Sequence, residues 1–194
     1  MPDDADAPRP GQWRSGATFR EFLDDVNEFW QTPEGQRLRA ALQADEADLQ
    51  AWLADQPGVV VHGHGGWVPE QWRGEVDGHS FYFRERHDDW DIEIDLHPSG
   101  RSMRVVDGTH DDGTTRYRQH DIIEGEVIAS GTTAAEGYGA NPRERAEFIV
   151  TTIRDHLRRK RVADVGRMVA ERSAELNQRF SGLADDELMR KAWE

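Results

Sequence analysis

Apolar residues recur at helical spacing from Thr18 to about Ala54. Thr18 and Glu21 have the spacing of a capping box, and Phe19, Phe22, Leu23, Val26 and Trp30 follow at intervals of three or four. Thr32-Pro33 restarts a helix, with Thr as N-cap and Pro in its first turn. Leu38 and Leu42 supply its stripe. Asp45 and Asp48 then suit a further start that carries Leu49, Trp52 and Leu53 as far as Pro57-Gly58. Three N-terminal helices are expected.

From Val59 to about Thr132 the period becomes two. Asp77-Gly78 is a strong hairpin signal and pairs Val76 with His79, Gly74 with Phe81, and Trp72 with Phe83. A turn at Asp88-Asp89 would set Phe83 against Ile94, Phe81 against Leu96, Arg86 against Asp91, and Arg84 against Glu93. A loop at Pro98-Ser-Gly-Arg101 would set Leu96 against Met103, Ile94 against Val105, and Asp95 against Arg104. These registers give one apolar face (Trp72, Val76, Phe81, Phe83, Ile92, Ile94, Leu96, Met103, Val105) and one charged face. Further strands near Arg116–His120 and Glu126–Ala129 would complete a five- or six-stranded antiparallel meander.

Helical spacing returns at Asn141, with Pro142 at the first position and Glu144 at the third. Ala146, Ile149, Val150, Ile153 and Leu157 form a stripe that Val162, Val165, Val169, Leu176 and Phe180 continue, as one long helix or a pair broken near Gly166. The expected fold is α+β, a single domain over residues 18–180. Residues 1–17 read as a disordered acidic lead-in and 181–194 as an acidic tail.

Composition narrows the function classes. The longest unbroken apolar run is Ala51-Trp52-Leu53-Ala54, far short of a membrane span, and there is no Cys to build a disulfide scaffold. The first residues show no basic and apolar export pattern, so a cytoplasmic location is expected. The net charge of −14 divides as −7 over residues 1–56, −9 over 57–140 and +2 over 141–194. That sign makes nucleic-acid binding unfavourable and suits a basic protein partner. The basic run Arg158-Arg159-Lys160-Arg161 spreads around a helix, and reads as a solvated end or a dock for an acidic surface of another copy. A homo-oligomer through the C-terminal helix is one outcome of that reading.

Two constellations invite chemistry. His62 and His64 in Val59-Val-Val-His-Gly-His-Gly would share one strand face, and Asp95 and His97 repeat the spacing. If the pairs met, four N and O donors could bind a divalent metal and support a metal-dependent hydrolase. His-x-His is a short pattern, however, and no cofactor is otherwise implied. Trp67, Trp72, Phe81 and Phe83 could line an aromatic ligand pocket between sheet and helix. His79 reads as a packed, hydrogen-bonded core residue, and Asp91, Glu93 and Asp95 as partners for arginines across the sheet. Gly137-Tyr-Gly139 before a helix N-terminus could hold an anion, or be an ordinary connection. Neither a Gly-x-Ser-x-Gly elbow nor a Walker loop is present.

The stretches Gly125-Glu-Val-Ile-Ala-Ser-Gly-Thr, Gly137-Tyr-Gly and Arg145–Arg159, with the hairpin Gly74–His87, resemble uncharacterised small proteins of actinobacteria and actinobacteriophages. The likeness covers roughly residues 67–160 and implies no activity. It agrees with the preference for Arg over Lys, the residue usage of a high-GC genome. The expected function is that of a non-enzymatic acidic interaction protein, of high-GC actinobacterial or phage origin, that engages a host or partner protein.

Overall fold

A computed structural model describes residues 18–66, 69–110 and 112–181, with the Phe19 side chain excepted. The fold is α+β: helices α1 (Phe19–Gln31) and α2 (Pro33–Ala54), then strands β1 (Val59–Gly65), β2 (Glu70–Val76), β3 (His79–Arg86), β4 (Asp89–Thr109) and β5 (Thr115–Thr132), then helix α3 (Pro142–Phe180). The strands form one antiparallel sheet in chain order. Two compact units contain these elements. One takes α1, α2 and Gly137–Glu147; the other takes the sheet and α3 from Phe148 onward. No helix among the described residues is long and apolar enough to cross a membrane.

In the first unit, the Thr18 side chain accepts from the Glu21 N–H and the Glu21 carboxylate accepts from Thr18 N–H, closing the expected capping box. Thr32 caps α2 by accepting from Gly35 N–H. Two helices stand where three were expected, because α2 runs unbroken through Asp45 and Asp48. From Gln36 to Ala54 it meets no Gly or Pro, and its alanines favour continuation. Leu49 is fully buried, whereas Leu38 and Leu42 are exposed. Asn141 accepts from Glu144 N–H at 2.9 Å and starts α3 as expected.

In the second unit, β2 and β3 pair in the expected register around Asp77-Gly78. The next turn lies one residue earlier than expected, at His87-Asp88, with φ of 56° and 67°. Phe81 therefore faces Ile94, Phe83 faces Ile92, Arg84 faces Asp91 and Arg86 faces Asp89. The partners differ by two residues, and an even shift preserves the faces. Trp72, Val76, Phe81, Phe83, Ile92 and Ile94 are buried as the pattern required, and Trp90 joins them. The Phe148 ring stands edge-on to Trp90 at 5.0 Å between centroids, and α3 buries Ile149, Val150, Ile153 and Leu157 in this unit.

The expected loop at Pro98–Arg101 is instead part of β4. The strand continues to Thr109, and the expected strands near 116–120 and 126–129 merge into β5. Met103 consequently faces His120 and Arg104 faces Gln119. Pro98 is tolerated because β3 pairs only with residues 89–94, so this part of β4 is bonded along one side. Gly100, at φ 77°, lies within an irregularity between Pro98 and Ser102. Residues 97–109 and 115–124 thus form a two-stranded ribbon beyond the sheet core. Met103 is exposed and Val105 half-buried there, so neither completes the apolar face.

Helix α3 is continuous through Gly166 and about 58 Å long at 1.5 Å per residue. From Arg158 to Arg179 nearly every side chain is exposed. Val162, Val165, Val169 and Leu176 do not continue the buried stripe. At 100° per residue they centre about 140° around the helix from it.

Candidate functional site

A β-bulge between Val61 and Gly63 governs the His62/His64 pair. The extra residue turns the two imidazoles different ways. His64 lies opposite buried Trp72 and stacks on it at 4.5 Å, while His62 Nε2 lies 3.6 Å from Glu75. Both border an open depression of about 550 Å³ that also includes Gln71 and Arg73. Asp95 and His97 stand on β4, with β2 and β3 between them and β1, so the structure does not bring the two pairs together. Among the described residues no group of three or more His, Cys, Asp or Glu side chains is placed to hold a metal ion.

Of the aromatic candidates, Trp72, Phe81 and Phe83 are almost wholly buried as sheet core, and Trp72 Nε1 donates to Glu70 Oε1 at 2.7 Å. Trp67 lies outside the described residues.

Asp95 has a different partner from those expected. A second irregularity in β4, between Ile94 and His97, puts it at φ 55°. There its Oδ1 accepts from His79 Nδ1 at 2.7 Å. His79 is therefore half-buried and hydrogen-bonded rather than packed in the core. The expected pairings of Arg86 with Asp91, Arg84 with Glu93 and Arg104 with Asp95 are replaced. Arg84 faces Asp91, Glu93 accepts from Gly125 N–H at 2.8 Å, and Arg104 lies over the Tyr117 ring at 4.5 Å. Partial burial raises the Asp91 pKa, with Arg84 opposing the shift.

His79 borders a second depression, of about 260 Å³, with Asp77, Leu157, Lys160, Arg161 and Asp164. Arg154 donates twice to Asp77 at 3.2 Å, pinning the β2–β3 turn to α3. Lys160 Nζ donates to Glu126 at 3.1 Å, a bond that raises the lysine pKa, and His156 Nε2 lies 3.8 Å from the same carboxylate. An imidazole oriented by a carboxylate suits proton transfer. Yet none of the six lining residues carries a hydroxyl or thiol nucleophile, and most of the charges engage one another. The arrangement fastens helix to sheet.

The loop before α3 is likewise structural. Arg145, which sequence patterning did not single out, is 8% exposed. It stacks its guanidinium on Tyr138 and donates to the carbonyls of Tyr138 and Gly139 at 2.8 and 2.9 Å. Its proximity in sequence to Gly137-Tyr-Gly139 was the one available signal.

The outer surface of α1 and α2 carries an acidic surplus of its own. Residues 18–57 carry nine acids and three arginines, a net −6. Eight of those acids are exposed; Glu46 is half-buried. Leu23, Leu38 and Leu42, each at least 40% exposed, stand among them. Leu38 and Leu42 are one helical turn apart, with Glu34 four residues before and Asp45 three after, so these four share one stripe. No protein-family model, curated protein or solved structure matches the chain.

Proposed function

We propose that this chain is a non-enzymatic interaction protein of actinobacterial or phage origin whose α1–α2 surface engages a host protein with a basic face. The reading is carried by one observation: exposed leucines standing in an acidic helical surface. Unbalanced charge of one sign steers a partner of the other, and apolar side chains at its centre hold the complex once water is expelled. In the sheet unit many charged side chains pair with one another, as Arg154 does with Asp77 and Lys160 with Glu126.

The test is capture of partners from an actinobacterial lysate on the immobilised full chain. A matched variant carries D24N, D25N, E28Q and D45N. A protein retained by the wild type, released by rising salt and missing from the variant supports the proposal. Identical captured sets on both chains would overturn it.

A further inference from the structure

Beyond Asp164, which still borders the depression shared with Asp77 and His79, α3 continues as an exposed helix to Arg179. Its apolar stripe, Val162, Val165, Val169 and Leu176, is solvent-exposed, the three valines at 60% or more. Such a stripe at three- and four-residue spacing is what a helix presents to another helix. At 100° per residue, Arg161, Arg172 and Arg179 run along one border of the stripe. Arg172 is paired with Glu175, whereas Arg161 makes no ion pair among the described residues. The acids Asp164 and Glu171 lie away from the stripe, and Glu175 stands beside the arginine border.

That border decides between occupants. In an antiparallel pair of α3 helices, the arginine border would face its own copy, which is repulsive. A parallel pair would set it against Gly166, Ser173 and Asn177, which offer no countercharge. The complementary surface is an acidic helix face with exposed leucines, and this chain carries one on α2. Its Glu34–Leu38–Leu42–Asp45 stripe spans about 16 Å, against about 21 Å from Val162 to Leu176.

We infer that α3 docks its exposed apolar stripe onto the acidic α1–α2 surface of a second copy, with the arginine border of the stripe facing Glu34 and Asp45. Two such docks made reciprocally close a symmetric dimer. The inference rests on the proposed role of the α1–α2 surface and gives that surface a second, self-directed partner.

Sedimentation velocity of the full chain tests it, using wild type, V165E/V169E and L38E/L42E. All four substitutions are at exposed helical positions, and Glu is at least comparable to Val and Leu in helix propensity. Far-UV circular dichroism and melting then verify that each variant is folded. The expected result is a wild-type dimer that weakens severalfold between 50 and 300 mM salt (about the range over which exposed charges become screened). Each variant alone should dimerise at least tenfold more weakly. An equimolar mixture of the variants should regain association, because one intact dock survives in the mixed pair. A monomeric wild type overturns the inference, as does a mixture no better associated than its components. Loss of dimerisation in V165E/V169E alone would mean that the stripe pairs with another stripe, and also overturns it. The lysate experiment reads a different binding event: host capture can persist without self-association, and self-association without host capture.

Discussion

At Gly74 the sheet tolerates no side chain. An added Cβ would lie 2.0 Å from the Val60 carbonyl oxygen and 2.8 Å from the Phe81 ring. The first contact is with backbone, so relief requires β1 to move away from β2. Gly74→Ala should lower stability by about 1–3 kcal/mol, the usual cost of overpacking, as measured by chemical denaturation. Asp91 offers a test through pH. Its pKa is raised because partial burial disfavours the carboxylate more than Arg84 favours it. The folded chain therefore holds the proton more tightly than the unfolded chain. The cost of ionisation is absent below the ordinary aspartate value, develops as pH rises to the raised folded value, and is complete above it. Asp91→Asn should remove that slope, so that the variant gains on the wild type between pH 3 and neutrality. Parallel stability curves for the two proteins would show that burial does not govern this carboxyl.

Each hairpin register follows from its turn, and the turns differ in legibility. Asp77-Gly78 has a glycine where positive φ is required, which makes the β2–β3 pairing readable from residue types. His87 and Asp88 adopt positive φ without glycine, so no residue type marks that turn, and alternation fixes the faces but not the partners. Asp88→Gly tests this. Both hydrogen bonds at Asp88 use its backbone: the N–H donates to Glu85, and the carbonyl accepts from Thr133 N–H. The substitution keeps both and relieves left-handed strain of roughly 1–2 kcal/mol. Against this stands about 0.4–1 kcal/mol of added unfolded-state entropy. A net gain of about 0.5–1 kcal/mol should appear in denaturant titration. The same logic explains what was illegible elsewhere. Pro98-Ser-Gly100 has turn composition yet is part of an irregular strand with one bonded side. The bulge separating His62 from His64 is another case: one added residue turns two imidazoles apart, and an i, i+2 spacing cannot reveal it. Asn141 and Pro142 marked the start of α3 correctly because capping is local chemistry. The departure of its second half from the sheet depends on where the sheet ends.

In the whole molecule, burial is concentrated where β2, β3, the first part of β4 and α3 meet, and the extensions beyond that core contribute surface. The β4–β5 ribbon carries Met103, Val106, Tyr117 and Ile123 in exposed positions, joined by local contacts such as Arg104 over Tyr117 and Gln119 donating to Ser102. A two-stranded ribbon without a packed face is marginally stable in water. Its net contribution to folding should therefore be small, although it accounts for much of the strand pairing. Replacing residues 98–123 by a two-residue Asn-Gly turn brings His97 and Glu124, already paired, to the end of a short hairpin. The shortened chain should stay within about 1 kcal/mol of the wild type, since the excised strands lose little burial and the shorter connection costs less closure entropy. Native-state hydrogen exchange on the intact chain should agree, with amides of residues 102–109 exchanging well before those of β3. If ribbon amides were protected to the same level as β3, or excision unfolded the sheet, the ribbon would belong to the cooperative core.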